Sequence, residues 1–242
     1  NRRIGGKDPS KCEDALRGVA FEKEEAMEKR TEILPGVFLT AVQTEKFKTG
    51  CFSINFLRPL RREDASANAL IPSVLLRGSE DCPDLRAIAA RLDDLYGASA
   101  GTLIRKKGEV QMVGFYADFI EDALAGEPVL KPMMAFVSEL LLRPRLEDGH
   151  FVRDYVESEK RNLANAIASR VNDKRTYATG RLLNTMCAGE AYAVQRLGEA
   201  EDVERITAEG LYAQYRALLA ESRAELFYMG RRPMEDVADC LR

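Results

Sequence analysis

From Gly36 to Leu57 the chain reads as two strands, the second alternating in steps of two. Gly36 to Val42 follows a Pro-Gly pair and is rich in β-formers. After a polar bridge at Thr44 to Lys48, Gly50 to Leu57 sets Phe52, Ile54 and Phe56 against Cys51, Ser53 and Asn55. That period predicts a half-buried strand, and the two stretches read together as an antiparallel hairpin. Helical spacing then takes over. Glu63 to Leu76 places Leu70, Ile71, Val74 and Leu75 on one stripe and stops at Arg77-Gly78. Pro83 opens a second helix whose Leu85, Ile88, Ala89, Leu92 and Leu95 keep a 3.6-residue period up to Gly97. Two strands follow, Ala98 to Lys106 and Val110 to Tyr116, turned at Lys107-Gly108. Helices are expected at Leu130 to Leu142, Phe151 to about Arg170, Arg175 to Cys187 and Ala208 to Ala220. A strand at Ala224 to Tyr228 and a short helix from Pro233 complete the order. Strands arrive in pairs, not singly between helices. That predicts an α+β fold, an antiparallel sheet with helices packed on one face. Before the strands, residues 1–30 read as a charged extension, with Cys12 to Arg30 patterned as a charged helix around Leu16, Val19 and Ala20.

Charge narrows the function classes. The 36 basic and 39 acidic residues are interspersed and leave a net charge of −3, so no basic field is available to hold nucleic acid. No apolar run approaches the ~18 residues of a membrane span. The charged opening holds no apolar signal region, and the five cysteines include no C-x-x-C pair. Reduced thiols and a cytoplasmic location are the expectation. The sharpest fact is a single histidine, His150. Catalytic zinc sites commonly draw on two or three imidazoles, so a zinc hydrolase built from this chain alone is chemically difficult.

Four local sequences stand out in order: Pro35-Gly36-Val37-Phe38 at the first strand, Leu75-Leu76-Arg77-Gly78-Ser79 after a helix, and Leu92-Asp93-Asp94-Leu95-Tyr96-Gly97-Ala98 before a strand. Glu225-Leu226-Phe227-Tyr228-Met229-Gly230 adds a late strand. Together, in this order, they resemble one half of the insulinase/pitrilysin family, which includes the mitochondrial processing peptidase. The resemblance runs from about Leu34 to Arg242 and is strongest to the divergent bacterial branch described as inactive. It implies one half of a clam-shell fold of the LuxS/processing-peptidase type, with residues 31–242 as the N-terminal half-domain. Active members carry H-x-x-E-H, in which two histidines on one helix face share zinc and the glutamate serves the metal-bound water. Aligned on Arg77-Gly78, the histidine positions fall on Ala69 and Ser73 and the base on Pro72. The distal glutamate ligand falls on Ala166, or in another register on Glu157 or Glu159. Ala and Pro offer no donor, and a neutral Ser hydroxyl is a poor zinc ligand. The resemblance therefore implies no catalytic residues and no cofactor here, although catalytic relatives hold zinc.

The family's substrate strand implies a positive role for Ala98, Ser99, Ala100, Gly101 and Thr102, where an unstructured peptide adds to a sheet edge through main-chain hydrogen bonds. The same small residues also suit a plain turn between helix and strand. His150, in Asp148-Gly149-His150-Phe151, reads as a surface or capping histidine in a loop leading into a helix. Met133-Met134 with Phe136 and Val137 reads as core. The expected function is a non-catalytic subunit that shapes a chamber and holds peptide beside a homologous zinc-bearing subunit or second half-domain, in a dimer-like pairing. Two alternatives stay open: a scaffold module that binds no peptide, and an active metallopeptidase whose zinc residues lie outside this chain.

Overall fold

The computed structural model describes residues 27–241. A six-stranded sheet forms its centre, in the order β1-β2-β8-β3-β5-β4. The strands are β1 (Met27–Leu34), β2 (Val37–Gln43), β3 (Thr49–Pro59), β4 (Ser99–Lys107), β5 (Val110–Ile120) and β8 (Arg223–Gly230). All neighbours run antiparallel except β2 and β8. The expected α+β class, with a mostly antiparallel sheet, is what the chain adopts.

One pairing differs from the sequence reading. β2 and β3 do not form a hairpin, because β8 lies between them, parallel to β2 and antiparallel to β3. The period-two pattern identifies a strand but says nothing about which neighbour it bonds. The Thr44–Lys48 link has five residues, a reach of about 17 Å, which easily crosses two strand spacings of roughly 10 Å. The real hairpin at this end is β1 with β2, turned at Pro35-Gly36, where Gly36 takes φ 76°. Residues 27–30, read from sequence as the end of a charged helix, lie in β1; residues 12–26 of that expected helix lie outside the described residues. An edge strand has no buried neighbour on its outer side, so β1 carries charge in place of an apolar alternation, and Arg30 Nη2 bonds Glu225 Oε1 at 2.8 Å.

One face of the sheet is packed. Phe52, Ile54 and Phe56 on β3, Val113, Phe115, Ala117 and Phe119 on β5, and Ala224, Leu226 and Tyr228 on β8 are all buried. Against this face lie α1 (Arg62–Leu75), α4 (Leu130–Leu142), α8 (Ala208–Glu221) and α9 (Met234–Cys240). Met133, Met134, Phe136 and Val137 are each 2% exposed or less and belong to this core. The remaining helices are α2 (Leu85–Asp94), α3 (Asp122–Ala125), α5 (Arg153–Ala168), α6 (Lys174–Met186) and α7 (Ala200–Glu204). Caps explain several of their starts: Asp84, Asp173 and Thr207 accept from the N–H of Ala87, Thr176 and Gly210. α5 begins at Arg153 and not at Phe151, because His150–Phe151 (β7) pairs with Leu146–Glu147 (β6) across the Asp148-Gly149 turn, where both turn residues have positive φ.

Candidate functional site

Ala69, Pro72 and Ser73, the positions onto which the sequence alignment places the zinc motif, sit on α1, which packs against α5. Ala69 is 1% exposed, Pro72 is buried inside the helix and Ser73 is half-buried. Pro72 has no N–H to return to the Asn68 carbonyl, yet the helix continues and Leu76 N–H still bonds Pro72 O at 3.1 Å. Ala166 lies exposed in the last turn of α5. The two carboxylates of the alternative register are already paired. Arg77 Nη1 bonds Glu159 Oε1 at 3.3 Å and its Cζ lies 5.4 Å from the Tyr155 ring centre, while Lys160 Nζ bonds Glu157 Oε1 at 3.0 Å. Among the described residues no cluster of three or more His, Cys, Asp or Glu is placed to hold a metal. His150 Nε2 stands 3.6 Å from Glu209 Oε1 and its Nδ1 is 3.0 Å from the Phe151 carbonyl, in the β6–β7 hairpin.

What fills this part of the molecule is a buried amide network. Asn68 and Gln111 are fully buried. Asn68 Nδ2 donates to Gln111 Oε1 at 3.0 Å, Gln214 Nε2 donates to Asn68 Oδ1 at 2.9 Å, and Gln111 Nε2 donates to the carbonyls of Ala65 at 2.9 Å and Arg196 at 2.7 Å. The network ties α1, β5, α8 and the loop carrying Arg196 together. A sequence signal for it existed: Gln111 occupies an inward register otherwise held by Val113, Phe115, Ala117 and Phe119. Asn68→Ala leaves Gln111 Oε1 and Gln214 Nε2 without their buried partner, and is expected to cost about 3 kcal/mol in urea denaturation with an unchanged slope.

The second candidate region is β4, which forms an outer edge of the sheet. Ala98 precedes the strand, is 8% exposed and bonds Leu92 O through its N–H at 3.1 Å. Ser99, Ala100, Gly101 and Thr102 open the strand itself, opposite Asp118, Ala117, Tyr116 and Phe115. The Tyr116 ring lies across Gly101, where a Cβ would come within 2.6 Å of it. Parity tells which backbone groups face outward. Arg196 Nη1 reaches the Ile104 carbonyl at 2.7 Å, so that carbonyl points away from β5. Successive residues alternate direction, so Ala100 and Thr102 also present N–H and C=O at the open edge. Further along, Lys106 Nζ turns back to the carbonyls of Tyr192 at 2.8 Å and Val194 at 3.3 Å and sits 4.3 Å from the Tyr192 ring centre. Burial pulls the Lys106 ammonium below the usual lysine range. The edge is thus open at Ala100–Thr102 and closed from Ile104 onward. A groove of about 890 Å³ flanks it, with Leu103, Met112 and Phe227 among its apolar lining.

No family model matches the chain. It is 34% identical over 197 residues to the probable inactive metalloprotease YmfF of Bacillus subtilis (strain 168), a match covering 81% of this chain and 46% of that protein. A conserved protein from Enterococcus faecalis V583 superposes with a TM-score of 0.82 at 26% identity, over 88% of this chain and 51% of the other. The peptidase M16 inactive domain from Pseudomonas fluorescens shares the fold with a TM-score of 0.68 at 17% identity, over 88% of this chain and 49% of the other. The sheet order and helix layer are therefore those of one half of the clam-shell, M16-type peptidases. The chain is an insulinase/pitrilysin-like protein, similar in sequence to a relative described as inactive. It spans about half the length of the relatives it matches.

Proposed function

We propose that this chain is the non-catalytic, peptide-holding half of a paired peptidase-type assembly. One observation carries the reading: β4 keeps an open edge at Ala100–Thr102, while the neighbouring helix offers Ala69, Pro72 and Ser73 where zinc chemistry needs imidazoles and a carboxylate. An extended peptide would dock there by strand addition, with backbone bonds supplying affinity and little demand on sequence. The half-domain expected over residues 31–242 would take in the whole of β1, from Met27, and the charged residues before it would stand as the extension. The other half would be a second half-domain or a homologous subunit bearing H-x-x-E-H, and the two would enclose the peptide between them. The span of about half of each relative supports that pairing. A cytoplasmic setting agrees with the free Cys51, Cys82, Cys187 and Cys240. Among the described residues no helix is long and apolar enough to cross a membrane.

The test is direct binding of fluorescent, unstructured peptides to the purified chain by anisotropy, followed by co-purification with a motif-bearing homologue. Saturable binding to this chain, and peptidase activity that appears only with the partner, are the expected results. A chain that assembles with the partner but takes up no peptide would instead be a scaffold.

A further inference from the structure

The edge of β4 does not simply end; it ends in cations. On the face of the sheet away from the helices, β4 presents Ser99, Gly101, Leu103, Arg105 and Lys107 in sequence, because alternate residues share a face. Arg105 and Lys107 are exposed, and among the described residues neither side chain has an ion-pair partner. Arg196 stands at the same place from the other side, with one guanidinium nitrogen on Ile104 O and the rest of its planar fork left over. Of the carboxylates on this hairpin, Asp118 lies opposite Ser99 at the far end and Glu109 lies in the turn beyond Lys107. Other arginines on or beside the sheet are ion-paired, as in Arg30–Glu225, Arg58–Glu221 and Arg232–Asp122, whereas Arg86, Arg91 and Arg161 on the exposed helix faces are also left without an ion pair among the described residues. Leaving these cations unpaired at the closed end of a binding edge leaves charge for a ligand to meet.

We infer that the peptide held on β4 is selected by a carboxylate, received by Arg105, Lys107 and Arg196 where the edge closes; this rests on the peptide-holding reading above. A strand added beside Ala100 and Thr102 cannot continue past Ile104, whose outward carbonyl is already taken by Arg196. Its last paired residues therefore reach the guanidinium of Arg196 and the two exposed cations. Two residues back along the same face, Leu103 and the apolar lining of Met112 and Phe227 meet an aliphatic side chain. The ligand chemistry is an extended segment with an aliphatic residue and, one position along on the same face, a carboxylate. Either an acidic side chain or, on a strand running parallel to β4, a free C-terminus supplies that group.

Four labelled, unstructured peptides of one backbone sequence separate the cases: neutral and amidated, Glu-bearing and amidated, neutral with a free C-terminus, and Lys-bearing and amidated. Binding to the full chain is measured by anisotropy at low and high salt. A carboxylate peptide is expected to bind on the order of tenfold tighter than the neutral one, with the advantage shrinking as salt rises. Tightest binding by the Glu peptide assigns the site to an acidic side chain, and tightest binding by the free C-terminus assigns it to a terminal carboxylate. In the surface double variant Arg105→Glu/Lys107→Glu the preference should invert toward the Lys peptide, while circular dichroism confirms an intact fold. If all four peptides bind alike, or charge reversal leaves their ranking unchanged, carboxylate selection is wrong and peptide holding stands. If none of the four binds, the peptide-holding reading falls and takes the selection with it.

Discussion

Replacing Thr102 by proline is expected to weaken peptide binding by a large factor while the fold persists. The reason is the direction of one N–H. Ser99, Gly101, Leu103, Arg105 and Lys107 face their partners on β5, and the intervening residues face outward, as the Arg196 bond to Ile104 O establishes. Proline at position 102 removes an outward donor and keeps the β4–β5 ladder, which is why edge strands tolerate it. Any added strand loses a main-chain bond at the centre of the open segment and meets the ring where it needs close approach. Affinity for a neutral extended peptide should fall on the order of tenfold or more, against a stability loss of about 1 kcal/mol. Thr102→Ala, which keeps the N–H, should bind as the unaltered chain does. Anisotropy titration beside thermal unfolding checks both halves. Unchanged binding by the proline variant would remove the edge from the mechanism.

Gly114→Ala should be the most damaging single substitution in the sheet. Gly114 lies at the middle of β5, between Asn55 of β3 and Leu103 of β4. A Cβ there would overlap the Ile54 carbonyl oxygen and stand 2.8 Å from its carbon and 2.9 Å from Asn55 Cα. These are main-chain atoms of a neighbouring strand, so no rotamer change relieves the clash. The β3–β5 ladder, Thr49–Pro59 against Val110–Ile120, must separate locally. A loss of roughly 4 kcal/mol or more follows, read as a lower urea midpoint or as failure to accumulate folded protein. A variant within about 1 kcal/mol of the parent would show that β3 and β5 have room for a Cβ at this point.

The sheet and the helices were legible because burial writes itself as period. Phe52, Ile54 and Phe56 announce β3, and Leu85, Ile88 and Leu92 announce α2. Partner choice is not written that way. β8 shows the same alternation whether it sits at an edge or between β2 and β3, so its central place could not be read from residues 223–230. β1 was hidden for the opposite reason: as an edge strand held partly by ion pairs, it carries charge where a central strand carries Val or Phe. The candidate site divides likewise. That Ala69, Pro72 and Ser73 make a poor zinc-ligand set is chemistry of residue type, legible in the sequence alone. Peptide docking was expected over Ala98 to Thr102; the structure places Ala98 before β4, with its N–H on Leu92 O, and sets Arg196 on the Ile104 carbonyl just beyond that stretch. That closure comes from a loop 92 residues away in sequence, and nothing local to β4 signals it.

A chain that holds peptide without metal must behave the same with and without a chelator. Purified protein incubated with a labelled unstructured peptide, with zinc or with EDTA, should show the same binding isotherm under both conditions and an uncut peptide throughout. Cleavage that appears with zinc and disappears with EDTA would mean that a metal is gripped despite Ala69, Pro72 and Ser73, and would contradict the assignment of this chain as the non-catalytic half.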